Sequence, residues 1–139
     1  MYRVYDKKEK CWVKDDIYLA PNNDLFMLKK TKLGTKKLSL VSDKRYIVHK
    51  YIELSDMKNV LIYEGDIVEV QINKDSKINM LVTYSPDISS YIILDFNENK
   101  YYSLGINNRK FVKVIGNIFE NRDLLPAEAY EDERSELND

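Results

Sequence analysis

A side-chain alternation of period two, repeated along the chain and cut by short polar turns, constrains the fold of this sequence more than any other feature. That period belongs to half-buried strands, because successive strand side chains point to opposite faces. In 67–72, Val68, Val70 and Ile72 share a face, with Ile67, Glu69 and Gln71 opposite. In 78–84, Ile78, Met80, Val82 and Tyr84 face away from Asn79, Leu81 and Thr83. Tyr46, Val48, Lys50 and Ile52 alternate with Ile47, His49 and Tyr51. Val112, Val114, Gly116 and Ile118 alternate in the same way with Lys113, Ile115, Asn117 and Phe119. Turn chemistry separates these runs. Residues 73–77 read as a hairpin loop, and 6–10 join 2–5 to 11–14 as another. Pro86 ends a strand because it cannot donate to a central ladder. Helix is confined to one turn over 121–125 and a loosely packed 127–137, whose apolar anchors are alanines, Tyr130 and Leu137. The expected class is mainly β, with short antiparallel strands in a barrel or sandwich and little helix.

A chain of 139 residues is one domain's worth. Hydrophobic residues at 44% and charged residues at 32% exclude wholesale disorder. No apolar run approaches the ~18–20 residues of a membrane helix, so no membrane association is expected. The opening Met1-Tyr2-Arg3-Val4-Tyr5-Asp6 has no apolar core of a secretory signal. The single cysteine, Cys11, cannot close an internal disulfide, which fits a reducing compartment.

A net charge of −1 conceals a polarity. Residues 126–139 carry −5 and the rest +4, and 29–50 alone carries +7. Lys29, Lys30, Lys32, Lys36, Lys37, Lys44 and Arg45 in that stretch are the candidate nucleic-acid-binding residues, since clustered cations track a phosphate backbone. Tyr46, Tyr51, Tyr101 and Tyr102 are candidate stacking partners. The bland alternative is a solvated surface, with Lys, Asn, Ile and Tyr abundant because their codons are A/T-rich.

Catalytic chemistry finds little footing. His49 is the one histidine, and no Ser or Cys motif in the sequence points to general-base work for it. One Cys and one His cannot supply a zinc site. Adjacent Asp15 and Asp16 point apart on a strand, and Glu64 with Asp66 is a poor cation site without further ligands. Four glycines leave no phosphate-cradling loop. No enzyme activity, no cofactor and no metal are expected. Gly65 reads as a sharp left-handed turn, and the Asp66 carboxylate as an acceptor for a nearby backbone N–H. Gly116 reads as a bulge or a close backbone approach.

Three segments carry a resemblance: Tyr2-Arg3-Val4-Tyr5-Asp6 with its hairpin to Trp12, Tyr51-Ile52-Glu53-Leu54-Ser55-Asp56 running on to Tyr63-Glu64-Gly65-Asp66-Ile67-Val68, and Val114-Ile115-Gly116-Asn117-Ile118 through Asp123-Leu124-Leu125. In order and spacing the chain resembles the YopX family, small proteins of phages and prophages of Gram-positive bacteria. The family usually has Thr-Gly where this chain has Ile52-Glu53, Asn-Gly where it has Asn59-Val60, and often Pro where it has Arg122. The resemblance implies an SH3-like small barrel in the C-terminal half and no established activity. The expected organisation is an N-terminal β segment over 1–59 packed on the barrel, the barrel over 60–125, and an acidic tail over 126–139. The expected role is a phage accessory protein of the bacterial cytoplasm that works by binding nucleic acid or a protein partner. A structural protein that assembles as a homo-oligomer is the alternative.

Overall fold

A computed structural model of the chain describes residues 1–41 and 44–130. Residues 131–139, most of the acidic tail, and Ser42 and Asp43 lie outside the described residues. The chain divides into two compact units, Met1–Lys50 and Tyr51–Asp139, and passes from one to the other within a single strand, nearer the N-terminus than the 59/60 division expected.

In the first unit, β1 (Tyr2–Asp6) pairs with β2 (Cys11–Trp12) and with the opening residues of β6 (Tyr46–Ser55), all antiparallel. A second sheet runs in the order β3 (Ile17–Leu19), β4 (Leu25–Lys30), β5 (Lys36–Leu40). Alternation decides which residues meet: Val4 of β1, Leu25 and Met27 of β4 and Val41 are buried in one cluster, with Tyr2, Ile17, Leu19, Tyr46 and Val48 packed on it.

In the second unit, β6 pairs with β7 (Leu61–Tyr63), and a five-stranded antiparallel sheet follows. Its strands are β8 (Asp66–Asn73), β9 (Ser76–Ser85), β10 (Ser90–Asp95), β11 (Lys100–Ser103) and β12 (Val112–Asn117), in the order β11-β10-β9-β8-β12. β11 and β12 stand at opposite ends of that order, so the sheet forms a half-barrel, and full closure is not seen among the described pairings. The faces read from the sequence hold. Val68, Val70, Met80, Val82 and Val112 bury into one core with Ile52, Ile62, Ile93 and Leu104. Ile67 and Leu81 bury into another with Leu125 and Tyr130.

One face assignment changes. The β8–β12 register shifts between Val114 and Gly116, which puts the expected bulge there. The shift breaks the parity, so Ile118 packs in the same cluster as Ile115 and not on the face of Val112 and Val114. A Cβ on Gly116 would stand 2.5 Å from Asn121 Oδ1, so the close approach is present as well. Gly65 has φ of 78°, the left-handed turn expected of it. At 53, where the family has glycine, Glu53 adopts φ of 66°, inside an irregularity of the β6–β7 register. A left-handed backbone position, which glycine takes without penalty, is borne here by a residue with a side chain. The tail begins tightly: Ala127–Tyr130 form a 3-10 turn, and Tyr130 is buried and donates to the Arg122 carbonyl at 3.0 Å.

The polar motif residues hold turns. Asp56 is fully buried, its Oδ1 accepting from the N–H groups of Lys58 and Val60 at 2.8 and 2.9 Å and its Oδ2 from that of Val114 at 2.8 Å. Asp66 accepts from Tyr63 N–H at 2.8 Å. Asn117 Oδ1 accepts from Phe119 and Glu120 N–H, and Asp95 Oδ1 from Asn97 and Glu98 N–H. Each buried acceptor satisfies backbone donors that would otherwise be stranded away from water.

Candidate nucleic-acid interface

The site is the ribbon made by β4 and β5. Thr31-Lys32-Leu33-Gly34-Thr35 joins them, closed by Thr31 N–H on the Thr35 carbonyl at 2.7 Å and by paired threonine hydroxyls at 2.6 Å. Gly34, with φ of 84°, permits that turn. The antiparallel register sets Lys29 opposite Lys37 and Lys30 opposite Lys36. Residues directly opposite share a face, so the ribbon carries one lysine pair on each side and Lys32 at its tip.

All five lysines are exposed, and among the described residues none has a carboxylate partner. Two like-charge pairs directly across a ladder cost stability, and no ion pair among the described residues offsets them. The two faces also differ in their surroundings. Lys29 lines a groove of about 530 Å³ with Trp12, Met27, Tyr46 and Arg45, into which Asp6, Glu9 and Asp15 also face. Lys30 and Lys36 line another, of about 320 Å³, with Lys14, Leu28, Asp15 and Asp16.

The other candidates are not on the ribbon. Arg45 is engaged by Asp6 in a two-pronged ion pair, Nε to Oδ1 at 2.9 Å and the terminal nitrogen to Oδ2 at 2.7 Å. That guanidinium, helped by the Lys8 and Glu9 N–H groups, holds the Asp6 carboxyl down at about 2 against burial, and Asp6 in turn pushes the Arg45 pKa up. Arg45 therefore leaves the set of free cations. Lys44 is exposed in the turn before β6, outside the ribbon. Among the tyrosines, Tyr101 and Tyr102 stand exposed on β11, and Tyr46 and Tyr51 are half-buried. None of the four is on the ribbon, but Tyr46 shares the groove of Lys29, and the Arg45 guanidinium lies 5.0 Å from its ring centroid.

Sequence reasoning missed two features. Lys14 joins Lys30 and Lys36, and only the fold reveals that adjacency. The outer face of the β3-β4-β5 sheet is apolar, with Tyr18, Leu38 and Leu40 at 51, 52 and 61% exposure and Phe26 and Leu28 half-buried between them. The signal for it was the alternation Lys36, Leu38, Leu40, which the surrounding lysines masked.

His49 is buried opposite Arg3 and lies 6.2 Å from the Trp12 ring, centroid to centroid. Burial first, and the Arg3 charge second, lower its pKa to about 4. Among the described residues no group of three His, Cys, Asp or Glu side chains could hold a metal ion, and no helix is long and apolar enough to cross a membrane.

Comparison with known proteins places this geometry. Protein yopX from Bacillus subtilis has a similar crystal structure, with a TM-score of 0.62 at 18% identity over 90% of this chain and 97% of that one. Protein EF1440 from Enterococcus faecalis is similar with a TM-score of 0.56 at 22% identity, over 90% and 96%. At such identities the likeness is one of fold. No curated protein matches the chain in sequence. The profile of the YopX protein family matches residues 1–126, which takes in both units and the motif segments alike, and the chain belongs to that family.

Proposed function

We propose that this YopX-family protein is a non-enzymatic accessory protein of phage or prophage origin, working in the cytoplasm of a bacterial host, that binds nucleic acid through the β4–β5 ribbon. The observation that carries this reading is the pair of like-charge cross-strand contacts, Lys29 with Lys37 and Lys30 with Lys36, on a ribbon whose tip adds Lys32. Lysines on both faces of a two-stranded ribbon suit a ligand with phosphates on both sides. The major groove of a duplex, about 12 Å wide, admits such a ribbon. The non-enzymatic part is supported by the buried carboxylates, since Asp6, Asp56, Asp66 and Asp95 each hold a turn of their own backbone.

Fluorescence anisotropy of a labelled duplex between about 50 and 200 mM salt tests the reading. Affinity is expected to fall with salt along a slope of about −0.9 per phosphate contacted, and Lys30→Glu with Lys36→Glu to weaken it by about tenfold or more. Absence of binding at the low-salt end, or indifference to salt, contradicts it.

The outer face of the same sheet favours a second reading, assembly of several copies. Half-exposed Tyr18, Leu38 and Leu40 on one face form the kind of contiguous apolar patch that marks contact surfaces. Sedimentation of the full chain beside Leu38→Lys and beside a 1–125 truncation separates a role for this face from a role for the acidic tail. Monomers in all three cases remove this reading.

A further inference from the structure

A groove in the second unit has the chemistry that the ribbon lacks. Phe111, the last residue of the 3-10 turn Arg109–Phe111, is 44% exposed, and Met57, which lines the same groove, is 45% exposed. Their exposure does not come from a loose backbone. Met57 N–H bonds to the Val112 carbonyl at 2.9 Å. Arg109 donates to the Ser55 and Asp56 carbonyls at 2.8 and 3.0 Å and to Asn59 Oδ1 at 3.1 Å, tying the turn before Phe111 to the turn that carries Met57. Asp56 clamps that second turn from within. The family's Ser55-Asp56 motif thus holds an aromatic ring and a thioether out to solvent in a fixed place.

Cations surround the ring. Lys58, Lys77 and Lys113 line the groove, of about 200 Å³, with Gln71 and Glu69, and Lys110 Nζ lies 5.2 Å from the Phe111 centroid. Glu69 is the one carboxylate in the lining; it is 3.5 Å from Lys77 Nζ and directly across the ladder from Lys113. Among the described residues Lys58, Lys110 and Lys113 have no ion-pair partner.

We propose that this groove is a binding site for single-stranded nucleic acid, with Phe111 stacking on a base and Lys58, Lys110 and Lys113 meeting the flanking phosphates. A ring in a cationic groove binds single strands of any sequence, because every base offers a π-face and the lysines follow the backbone. A duplex keeps its base faces covered and cannot use Phe111, whereas the ribbon offers charge without an exposed ring at its tip. The site is therefore separate from the one proposed for the ribbon, and either can fail without the other.

The test uses the full chain with fluorescein-labelled oligo(dT) and a duplex of equal length, each followed by anisotropy. Phe111→Ala is expected to weaken oligo(dT) binding by about fivefold or more, to leave the duplex unaffected and to leave the salt slope unchanged. Phe111→Trp is expected to keep the affinity, with quenching of indole fluorescence beyond that of the wild-type chain. Lys58→Gln with Lys113→Gln is expected to flatten the single-strand salt slope by about 0.7 for each phosphate no longer neutralised. Wild-type affinity of Phe111→Ala for oligo(dT) overturns the site, even where Lys30→Glu with Lys36→Glu abolishes duplex binding. Equal loss for both probes overturns it too, and so does failure of the wild-type chain to bind oligo(dT) at low salt, which would leave Phe111 and Met57 to a protein partner.

Discussion

In Tyr51–Asp139 three polar side chains of the motifs are buried and each is answered: Asp56 by three backbone N–H groups, Asp66 by Tyr63, and Asn117 by Phe119 and Glu120. In Met1–Lys50 one such residue, Asp6, is answered by Arg45, while the lysines of the β4–β5 ribbon stand against each other in water. The difference separates two uses of charge. A buried, satisfied acceptor fixes a backbone, and its removal is expected to damage the fold. An exposed lysine beside another lysine weakens the fold slightly, so its presence asks for a reason outside the fold.

That contrast can be broken most forcefully at Asp56. Asp56→Ala strands three backbone donors away from water, and a loss on the order of 3 kcal/mol or more in urea unfolding is expected. A change below about 0.5 kcal/mol, the range of surface sites, would place Asp56 with the ribbon lysines.

The first unit's buried ionisable groups make the next largest effect. His49 is neutral in the fold, with its pKa lowered from 6.5 to about 4. Between those values the unfolded chain binds a proton that the folded chain does not, so stability is full above about 6.5 and declines as pH falls towards 4. Asp6, lowered from 3.8 to about 2, adds a second loss as pH falls through that lower window. Unfolding followed against pH is expected to show both limbs. His49→Gln is expected to flatten the upper one, by on the order of 2 kcal/mol, and to leave the lower. An unchanged upper limb would mean that another group titrates there.

Glu53 provides the smallest effect and the opposite sign. A β-carbon at φ of 66° costs roughly 1 kcal/mol, and glycine removes that cost while losing some chain entropy. Glu53→Gly is expected to stabilise the second unit by about 0.5 kcal/mol in thermal unfolding. Destabilisation would show that the Glu53 side chain makes up for its own strain.

The strands of the half-barrel were legible because Val68, Val70, Met80 and Val82 combine β-branching or bulk with clean alternation. Gly65 and Gly116 were legible because glycine in such a pattern has few other reasons to be there. β5 was not: lysine is a weak strand former, and Lys36 and Lys37 hid the alternation of Leu38 and Leu40. The site was legible in part. Lys29 to Lys37 are close in sequence and so fall on one ribbon, but Arg45 is taken by Asp6 across 39 positions, a pairing no local pattern announces. Phe111 and Met57 meet for the same reason, through a turn held by Arg109 about 50 positions away from its partners.

Lys37→Glu tests the division most directly, because stability and duplex affinity can be read on one preparation. Opposite Lys29, the new carboxylate turns a like-charge pair into an opposite-charge pair. The account predicts that urea unfolding shows a gain of about 0.2–1 kcal/mol while duplex affinity drops several-fold. A variant that loses stability, or one that binds the duplex as tightly as the wild-type chain, would contradict it.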